Sequence, residues 1–493
     1  MPGLNASLYL GLSGLQAQQA ALNVVGHNIA NVNTPGYTRQ RADLTSSQSL
    51  IEGQVYFGTG VTLNTVQGIR DRFLDLQIYR ETARQTGAED RYAGVDAVSS
   101  IVGDTGDTGI GAQIQAFFQG FQELSARPED GALRTNLIGK AQTMIAGLQT
   151  RYRLLADQRD SADRAVGSLV TEVNTLTAQI AQLNQQISSE TAPGANNDAR
   201  DQRKALTDKL AGLVGINVFE GSKGEYQITL DSGAAVLVSG SNTYELHTTM
   251  DATLDGHLRV ESLVGGSTID VTAGIKEGQL GAKLDLRDTI LVGFQRQLDQ
   301  IAAGVAGQVN KLHRSGFGAD GLPMNTNNDF FTTGVANDPI TGLPVSGGNF
   351  YKGMVDNLAV SASIIANPGL IAAAGSSGAQ GDNTNALAMA KLQLAGSTVD
   401  TNGDGAPDAG PFSTMVGSLI SDVGTQAQKW KTQGSTQQNL VSALQTQRDR
   451  LSGVDLDEEA ANMMTLQRGY QASGRFLSVI NGLTDQLVNQ FGK

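Results

Sequence analysis

Apolar residues recur at helical spacing along most of the chain. Leu8, Leu15, Leu22 and Ile29 fall seven apart with Leu12 between them, which keeps one stripe of side chains on one face of a helix. A tighter run, Val166, Leu169, Val173, Leu176, Ile180, Leu183 and Ile187, alternates steps of three and four. That spacing predicts the seam of a coiled coil, ending near Pro193-Gly194. A third stripe passes through Leu291, Phe294, Leu298, Ile301 and Val305. A fourth passes through Val416, Val423, Trp430, Leu444 and Leu451, with Gln437 at its one missed turn. A last helix is expected to start at Asp455, whose side chain can cap free amides, with Glu458 three residues later on the positive end of the dipole. Gly453 suits the left-handed end of the helix before it. The terminal helix carries Leu466, Tyr470, Leu477, Ile480, Leu487 and Phe491 on a broad face.

Between the second and third stripes the period falls to two. Tyr226, Ile228 and Leu230 alternate, as do Leu258 and Val260, then Ile269 and Val271, with turn clusters at 221–224, 231–233 and 240–242. These predict an inserted β domain over 216–273. Residues 316–350, rich in Gly, Asn, Asp and Pro, read as a long irregular loop or a reduced second insertion. The fold class is therefore mainly α with an inserted β domain. N- and C-terminal coiled-coil helices (1–40 and 455–493) flank a central helical bundle rod (41–215, 274–315 and 351–454), and the small β domain lies outside it.

Composition narrows the function. A chain of 493 residues is too long for one core. Its formal net charge of -13 repels nucleic-acid backbones and acidic membranes. With no cysteine it has no disulfide framework, thiolate metal site or cysteine nucleophile. Asn, Gln and Gly interrupt the N-terminal leucines, so no cleavable signal is expected, and no stretch is apolar enough to span a bilayer. Charge is absent from both ends: no Lys, Arg, Asp or Glu precedes Arg39, and after Arg475 only Asp485 and Lys493 are charged.

The first helix is stopped by "NIANVNTPGYTRQ", residues 28–40. Asn28, Asn31 and Asn33 favour leaving a helix, Pro35 forces Thr34 to be extended, and Pro35-Gly36 fits the centre of a type II turn leading into Tyr37. Two long, uncharged helices with apolar stripes at the chain ends make sense where they pair with each other or with further copies. Dense packing of many copies disfavours repeated like charge. The assembly interface is expected at Leu8, Leu12, Leu15, Leu22 and Ile29 on the first helix, and at Leu477, Ile480, Leu487 and Phe491 on the last. Asn31, Asn33, Thr34, Pro35, Gly36 and Tyr37 form the turn, or hinge, between the first helix and the rest.

The segments "GLSGLQAQQAALNVVGHNIANVNTPGYTRQ" and "VDLDEEAANMMTLQRGYQASGRFLSVINGLTDQL" resemble the paired terminal signatures of bacterial flagellar axial proteins, the rod, hook and hook-associated proteins. "GQLGAKLDLRD", "LDQIAAGVAGQVNKLH" and "GDNTNALAMAKL" resemble the hook-associated protein 1 branch of that family. The resemblance implies a structural protein at the hook-filament junction, exported unfolded by the flagellar type III system. It implies self-association in a ring, terminal helices forming an inner tube, and an outward-facing middle. The implied partners are the hook protein, hook-associated protein 3, an export chaperone and the export apparatus.

Chemical alternatives find little support. Four histidines, His27, His247, His257 and His313, are scattered without metal-ligand spacing, and His27 is expected to pack or cap near the helix exit. No phosphate-binding loop, HExxH or nucleophile-elbow motif occurs, so neither an enzyme nor a cofactor is expected. "DTNGDG" places Asp400, Asn402, Asp404 and Asp408 at calcium-loop positions, but the twelfth position is Pro411, and the bidentate glutamate that usually binds most strongly is missing. The competing readings are another axial protein, hook protein or hook-associated protein 3, and, from a different class, a secreted adhesin whose β domain binds a surface or glycan.

Overall fold

A computed structural model describes residues 2–491 apart from 53–54, 104–105, 191–195, 265, 325–327, 334–351, 380 and 396–409. In chain order, α1 (Pro2–Ala30) leads into β1 (Gln40–Ser46), β2 (Leu50–Glu52), β3 (Val55–Phe57) and β4 (Val61–Gly68). Helices α2 (Arg72–Val102), α3 (Ile110–Ala126), α4 (Gly131–Ser188) and α5 (Asn197–Leu213) follow. The next strands are β5 (Ile216–Glu220), β6 (Tyr226–Leu230), β7 (Val236–Ser239), β8 (Asn242–Thr243), β9 (Leu246–Met250), β10 (Leu258–Val264) and β11 (Ser267–Asp270). Then come α6 (Gly278–Asp285), α7 (Leu291–Arg314), β12 (Phe331–Thr332), α8 (Met354–Asn357), β13 (Ala359–Val360), α9 (Ala362–Ala366), α10 (Thr384–Lys391), α11 (Phe412–Ser452) and α12 (Leu456–Phe491).

Residues 41–68, expected as part of the helical rod, instead form antiparallel ladders, β1 with β4 and β2 with β3. Val61, Thr62, Thr65 and Val66 are β-branched residues that fit a pleated strand. Gly60, at φ +114°, lets the chain pass close over Ser13 of α1, a place where a side chain would collide.

The rod is built from α2, α3, α4, α7 and α11. Asp71 and Asp130 cap α2 and α4 by accepting from the first free amides, which removes orphan donors at each start. One core joins these helices: Phe117, Phe118, Phe121, Phe330, Phe331 and Phe412 are all fully or almost fully buried. The third stripe lies wholly in this core, with Leu291, Phe294, Leu298, Ile301 and Val305 buried. On α11, Val416 and Val423 are buried, Trp430 and Leu444 are half-buried and Leu451 is exposed, while Leu419 and Val441, off the expected stripe, are buried. Residues 316–324 and 328–333 are no outward excursion either. Phe317 bridges Pro323 and Ala374, and Phe330 and Phe331 enter the rod core. Residues 334–350 lie outside the described residues, as does DTNGDG with Asp400, Asn402, Asp404 and Asp408.

The second stripe is buried as its spacing requires, yet it is not a coiled-coil seam. Val166, Val173, Leu176, Ile180 and Ile187 face α5 and the β domain; with the exception of Ile187 they share one core with Leu210, Leu237, Leu246 and Val260. The β domain comprises a four-stranded sheet in the order β5-β6-β7-β8 and a three-stranded sheet in the order β11-β10-β9. Two asparagines on α4 hold it there: the side-chain amide of Asn174 exchanges both hydrogen bonds with the backbone of Leu246, and that of Asn184 does so with Tyr226. Each amide stands in for a neighbouring strand. Arg287, in a π-helical turn (Leu286–Ile290) between α6 and α7, is fully buried and donates to Asp163, Asp288 and the carbonyl of Leu258, which ties the β domain to the rod.

Candidate functional site

Helices α1 and α12 pack antiparallel on each other. A Cβ at Gly11 would stand 2.8 Å from the Leu477 side chain, and one at Gly469 would meet Gln18, so glycines bring the two backbones close. The side chains buried along α1 are small, Ala17, Ala21, Val25 and Asn28, and on α12 Ile480 is buried. Leu8, Leu15, Leu22, Ile29, Leu477 and Leu487 are half-buried and Leu12 is exposed; the side chain of Phe491 lies outside the described residues. The β1–β4 ladder covers a second flank of α1, where the amide of Val61 donates to Ser13 Oγ. What remains is an open apolar face. Tyr9 is 69% and Val479 61% exposed, with Leu12, Phe476 and Leu483 also exposed on the paired helices.

The other end of the pair is a polar clasp formed where the chain leaves α1. Asn28 is buried. Its amide nitrogen donates to the Gln40 carbonyl at 2.8 Å, and its oxygen accepts from the Gln40 amide at 2.9 Å, so the side chain acts as one rung of a ladder. The Tyr37 hydroxyl donates to that same oxygen at 2.9 Å and lies 2.9 Å from His27 Nδ1. Burial, and then the carboxylates of Asp198, Asp201 and Glu459, push the Tyr37 hydroxyl well above its usual range. Gly36 has φ +80°, as the second central position of a type II turn requires. Asn31 donates to the His27 carbonyl, and Thr34 donates to Asn31 Oδ1.

Two side chains then tie this turn to distant segments. Arg39 Nε donates to Glu459 at 2.6 Å, and its two terminal nitrogens donate to Glu458 at 2.8 and 2.7 Å. The hydrogen bonds that Arg39 donates to Glu458 raise the guanidinium pKa further, and Arg39 holds the Glu458 carboxyl below its usual range. Glu459 also accepts from Asn28 at 3.3 Å. Asp455 caps α12 as expected, accepting from Asp457 and Glu458 amides. The reciprocal arm of the capping box is absent because Glu458 reaches Arg39. Gly453 is extended, at φ -75° and ψ 160°, and not left-handed: the Arg39 amide donates to the Ser452 carbonyl and draws the chain straight. On the rod side, Asp201 of α5 accepts from the Thr38 amide at 3.0 Å, the Thr38 hydroxyl at 2.6 Å and Arg70 at 2.6 Å. Burial still raises its pKa against the pull of Arg70.

In the sequence, Arg39 stands out only as the first charge after a long neutral stretch, Asn28 only as a residue that favours leaving a helix, and Glu459 only as one acid in the run that opens the last helix; nothing local marks their pairing, and nothing marks Asp201 at all. A cavity of about 760 Å³ lies between β4, α5 and the β5–β6 turn. Its arginines are paired: Arg70 to Asp201, Arg72 to Glu220, and Arg200 to Glu190 and Glu220. Among the described residues no three His, Asp or Glu side chains are grouped to hold a metal, and no helix is long and apolar enough to cross a membrane.

Residues 95–331 match the family described as "Flagellar hook-associated protein FlgK helical domain". Residues 8–38 match the basal body rod protein family, and residues 445–490 the C-terminal family of basal body rod FlgEFG proteins. Flagellar hook-associated protein 1 of Salmonella typhimurium is 30% identical, over 97% of this chain and 98% of its own length. The protein of the same name from Bacillus subtilis is 27% identical over 99% of both chains. A flagellar hook protein of Helicobacter mustelae matches only 12% of this chain, at 41% identity. The solved structure of the flagellar hook junction protein FlgK from Burkholderia pseudomallei superposes with a TM-score of 0.66 at 18% identity, covering 76% of this chain and 99% of that one.

Proposed function

The chain belongs to the flagellar hook-associated protein 1 family, and from that premise we propose that it is a structural subunit joining hook to filament in the bacterial flagellum. Copies assemble into a ring through the terminal pair α1–α12, with the hook protein on one side and hook-associated protein 3 on the other. The chain reaches that place unfolded through the flagellar type III route, delivered by an export chaperone, and performs no catalysis.

The open apolar face of Tyr9, Leu12, Phe476, Val479 and Leu483 carries this reading. Large exposed side chains that line one face of two paired helices are what a subunit keeps for its neighbours. The clasp supports it: Arg39 with Glu458 and Glu459, and Thr38 with Asp201, set the direction of the pair relative to the rod in every copy. A ring needs such constancy to close. Electron microscopy of cells lacking this chain tests the proposal. Hooks without filaments are expected, with filaments returning when the chain is supplied and a tagged copy found where hook meets filament. Normal filaments in the deletion strain would overturn it.

A further inference from the structure

We propose that neighbouring copies meet side by side along the rod, the exposed face of α11 in one against the exposed face of the C-terminal half of α4 in the next, with Lys431 paired to Glu172. The inference rests on the ring reading above and deepens it by naming two different faces of the subunit that join.

Both faces lack charge in the same way. No Asp, Glu, Lys or Arg occurs in the sixteen residues 432–447 of α11 or in the seventeen residues 173–189 at the end of α4, in a chain with 17% charged residues. Yet Thr432, Ser435, Asn439, Ser442 and Thr446 are exposed, and so are Thr175, Gln179, Gln182 and Gln186. A helix face that meets only water normally carries charge. Thr446 and Thr175 donate their hydroxyls to carbonyls of their own helices, which leaves methyl groups and side-chain amides to a partner.

The ends of the two stretches are complementary. That on α11 lies between Lys431 and Arg448, and that on α4 between Glu172 and Glu190. Arg448 is held by Asp449 and Glu190 by Arg200. Lys431 and Glu172 are exposed, and neither is joined by a hydrogen bond or ion pair to a described residue; Lys431 only stands 5.8 Å from the Tyr92 ring.

Two rows of contacts across the rod locate the faces. In one, Arg91 of α2 lies over Trp430 of α11 and pairs with Asp285, and Arg287, two residues on, pairs with Asp163 of α4. In the other, Arg203 of α5 donates to Asn184 of α4, Lys204 pairs with Asp75 of α2, and both line a small cavity with Arg448 of α11. Helices α4 and α11 therefore run in the same direction at opposite ends of both rows, and their uncharged stretches overlap in height. A closed ring needs this of its subunit, which shows a different face to each of two neighbours at one level. At about 3.6 residues per turn, Lys431 lies about 80° to one side of Asn439, and Glu172 about 60° to the opposite side of Thr175. When two parallel helices face each other through Asn439 and Thr175, those sides coincide. The opposite charges then flank one edge of the contact, as e and g positions do in coiled coils.

Cross-linking of intact flagella tests the contact, because the native chain has no cysteine and the two faces are too far apart within one copy to be bridged. A short bis-maleimide on Asn439→Cys with Thr175→Cys should give a ladder of multimers, and Asn439→Cys alone should give none. Adding Lys431→Glu or Glu172→Lys to the double-cysteine chain should lower the ladder about tenfold, since like charges then meet at every contact. The two reversals together should restore it, with the melting temperature of the purified chain unchanged throughout. No ladder from the 439/175 pair, dimers from Asn439→Cys alone, an adduct with a different protein in place of a ladder, or a double reversal as impaired as either single would overturn the contact. If the tagged chain sits at the junction, such a result removes only this contact; its absence from flagella removes the ring reading as well.

Discussion

The rod and the terminal pair are both helical, yet they bury their apolar residues in different ways. In the rod, aromatic side chains converge from α3, α11 and the segment before β12: Phe117 contacts Phe118, Phe121, Phe330 and Phe331, with ring centroids between 5.2 and 5.9 Å apart. The terminal pair buries mostly small residues, Ala17, Ala21 and Val25 with Ile480, and its backbones approach at Gly11, against Leu477, and at Gly469, while Tyr9, Phe476 and Val479 stay exposed. A core of large interlocking side chains holds its helices without help. A seam of small ones brings two backbones close but buries little area per residue, so its stability is to be completed from outside the chain.

Substitutions graded by their effect on the free subunit test that contrast. Phe117→Ala should have the largest effect, lowering unfolding free energy by about 3–5 kcal/mol as a cavity opens among four rings; urea denaturation checks it. A loss under 1 kcal/mol would show that the rod core is not the stable half.

The rod also holds two buried titrating groups with opposite signs. Asp299 has its carboxyl raised to about 7 by burial, although the amides of Gly353 and Val355 donate to it. A raised acid stabilises the fold at low pH, and that contribution is lost as pH rises through about 7. His313 is lowered to about 4 by burial, and its Nε2 accepts from the Ala372 amide. Its contribution is present above its ordinary range and is lost as pH falls towards 4. At ~1.4 kcal/mol per pKa unit each is worth a few kcal/mol and they oppose each other. Relative to wild type, Asp299→Asn should therefore steepen the loss of stability on acidification between pH 6.5 and 4, and His313→Gln should leave stability falling as pH rises to 7. Urea midpoints across that range decide it, and parallel profiles for all three proteins would refute the assignment.

Arg39→Ala is expected to cost about 2 kcal/mol, and locally, because Glu459 keeps its burial and loses its charged donor. Hydrogen exchange should rise in the first turns of α12 and in residues 34–40 while α3 and α7 stay protected. Equal exchange in both proteins would show that the clasp does not hold the pair. The smallest effect on the subunit is expected from Val479→Asp, within about 0.5 kcal/mol as for other exposed positions, yet filaments should fail to attach. A clear fall in melting temperature with that variant would place Val479 inside the subunit and remove the contrast.

Periodicity alone placed α1, α7, α11, α12 and the second half of α4, since a 3.6-residue repeat follows from the geometry of the element that carries it. It located the third stripe residue by residue, and the period-two alternation located β6, β10 and β11 within the β domain. It did not say what would cover each stripe. Val166 to Ile187 has the spacing of a coiled coil, but a neighbouring helix and a pair of sheets cover the same stripe equally well. The strands at 40–68 were hidden because their pattern is short and their contacts lie on α1.

The asparagines show the same division. Asn28, Asn174, Asn184 and Asn310 each sit within a helix and pair through the side-chain amide with the backbone of a segment elsewhere, at Gln40, Leu246, Tyr226 and Phe331. A buried amide mid-helix is costly unless satisfied, so its presence signals that a partner exists, but its identity depends on which chain arrives there.

The sequence by itself determined which segments are helices, that both ends lack charge, and that the chain turns at Thr34-Pro35-Gly36-Tyr37, because propensity, period and charge are local properties. Only the tertiary structure decided that Arg39 would meet Glu458 and Glu459, some 420 positions away, that the β domain would take the coiled coil's place on α4, and which apolar residues of the terminal pair would stay open. Those outcomes depend on how surfaces distant in sequence fit together, and no local pattern contains the shape of its partner.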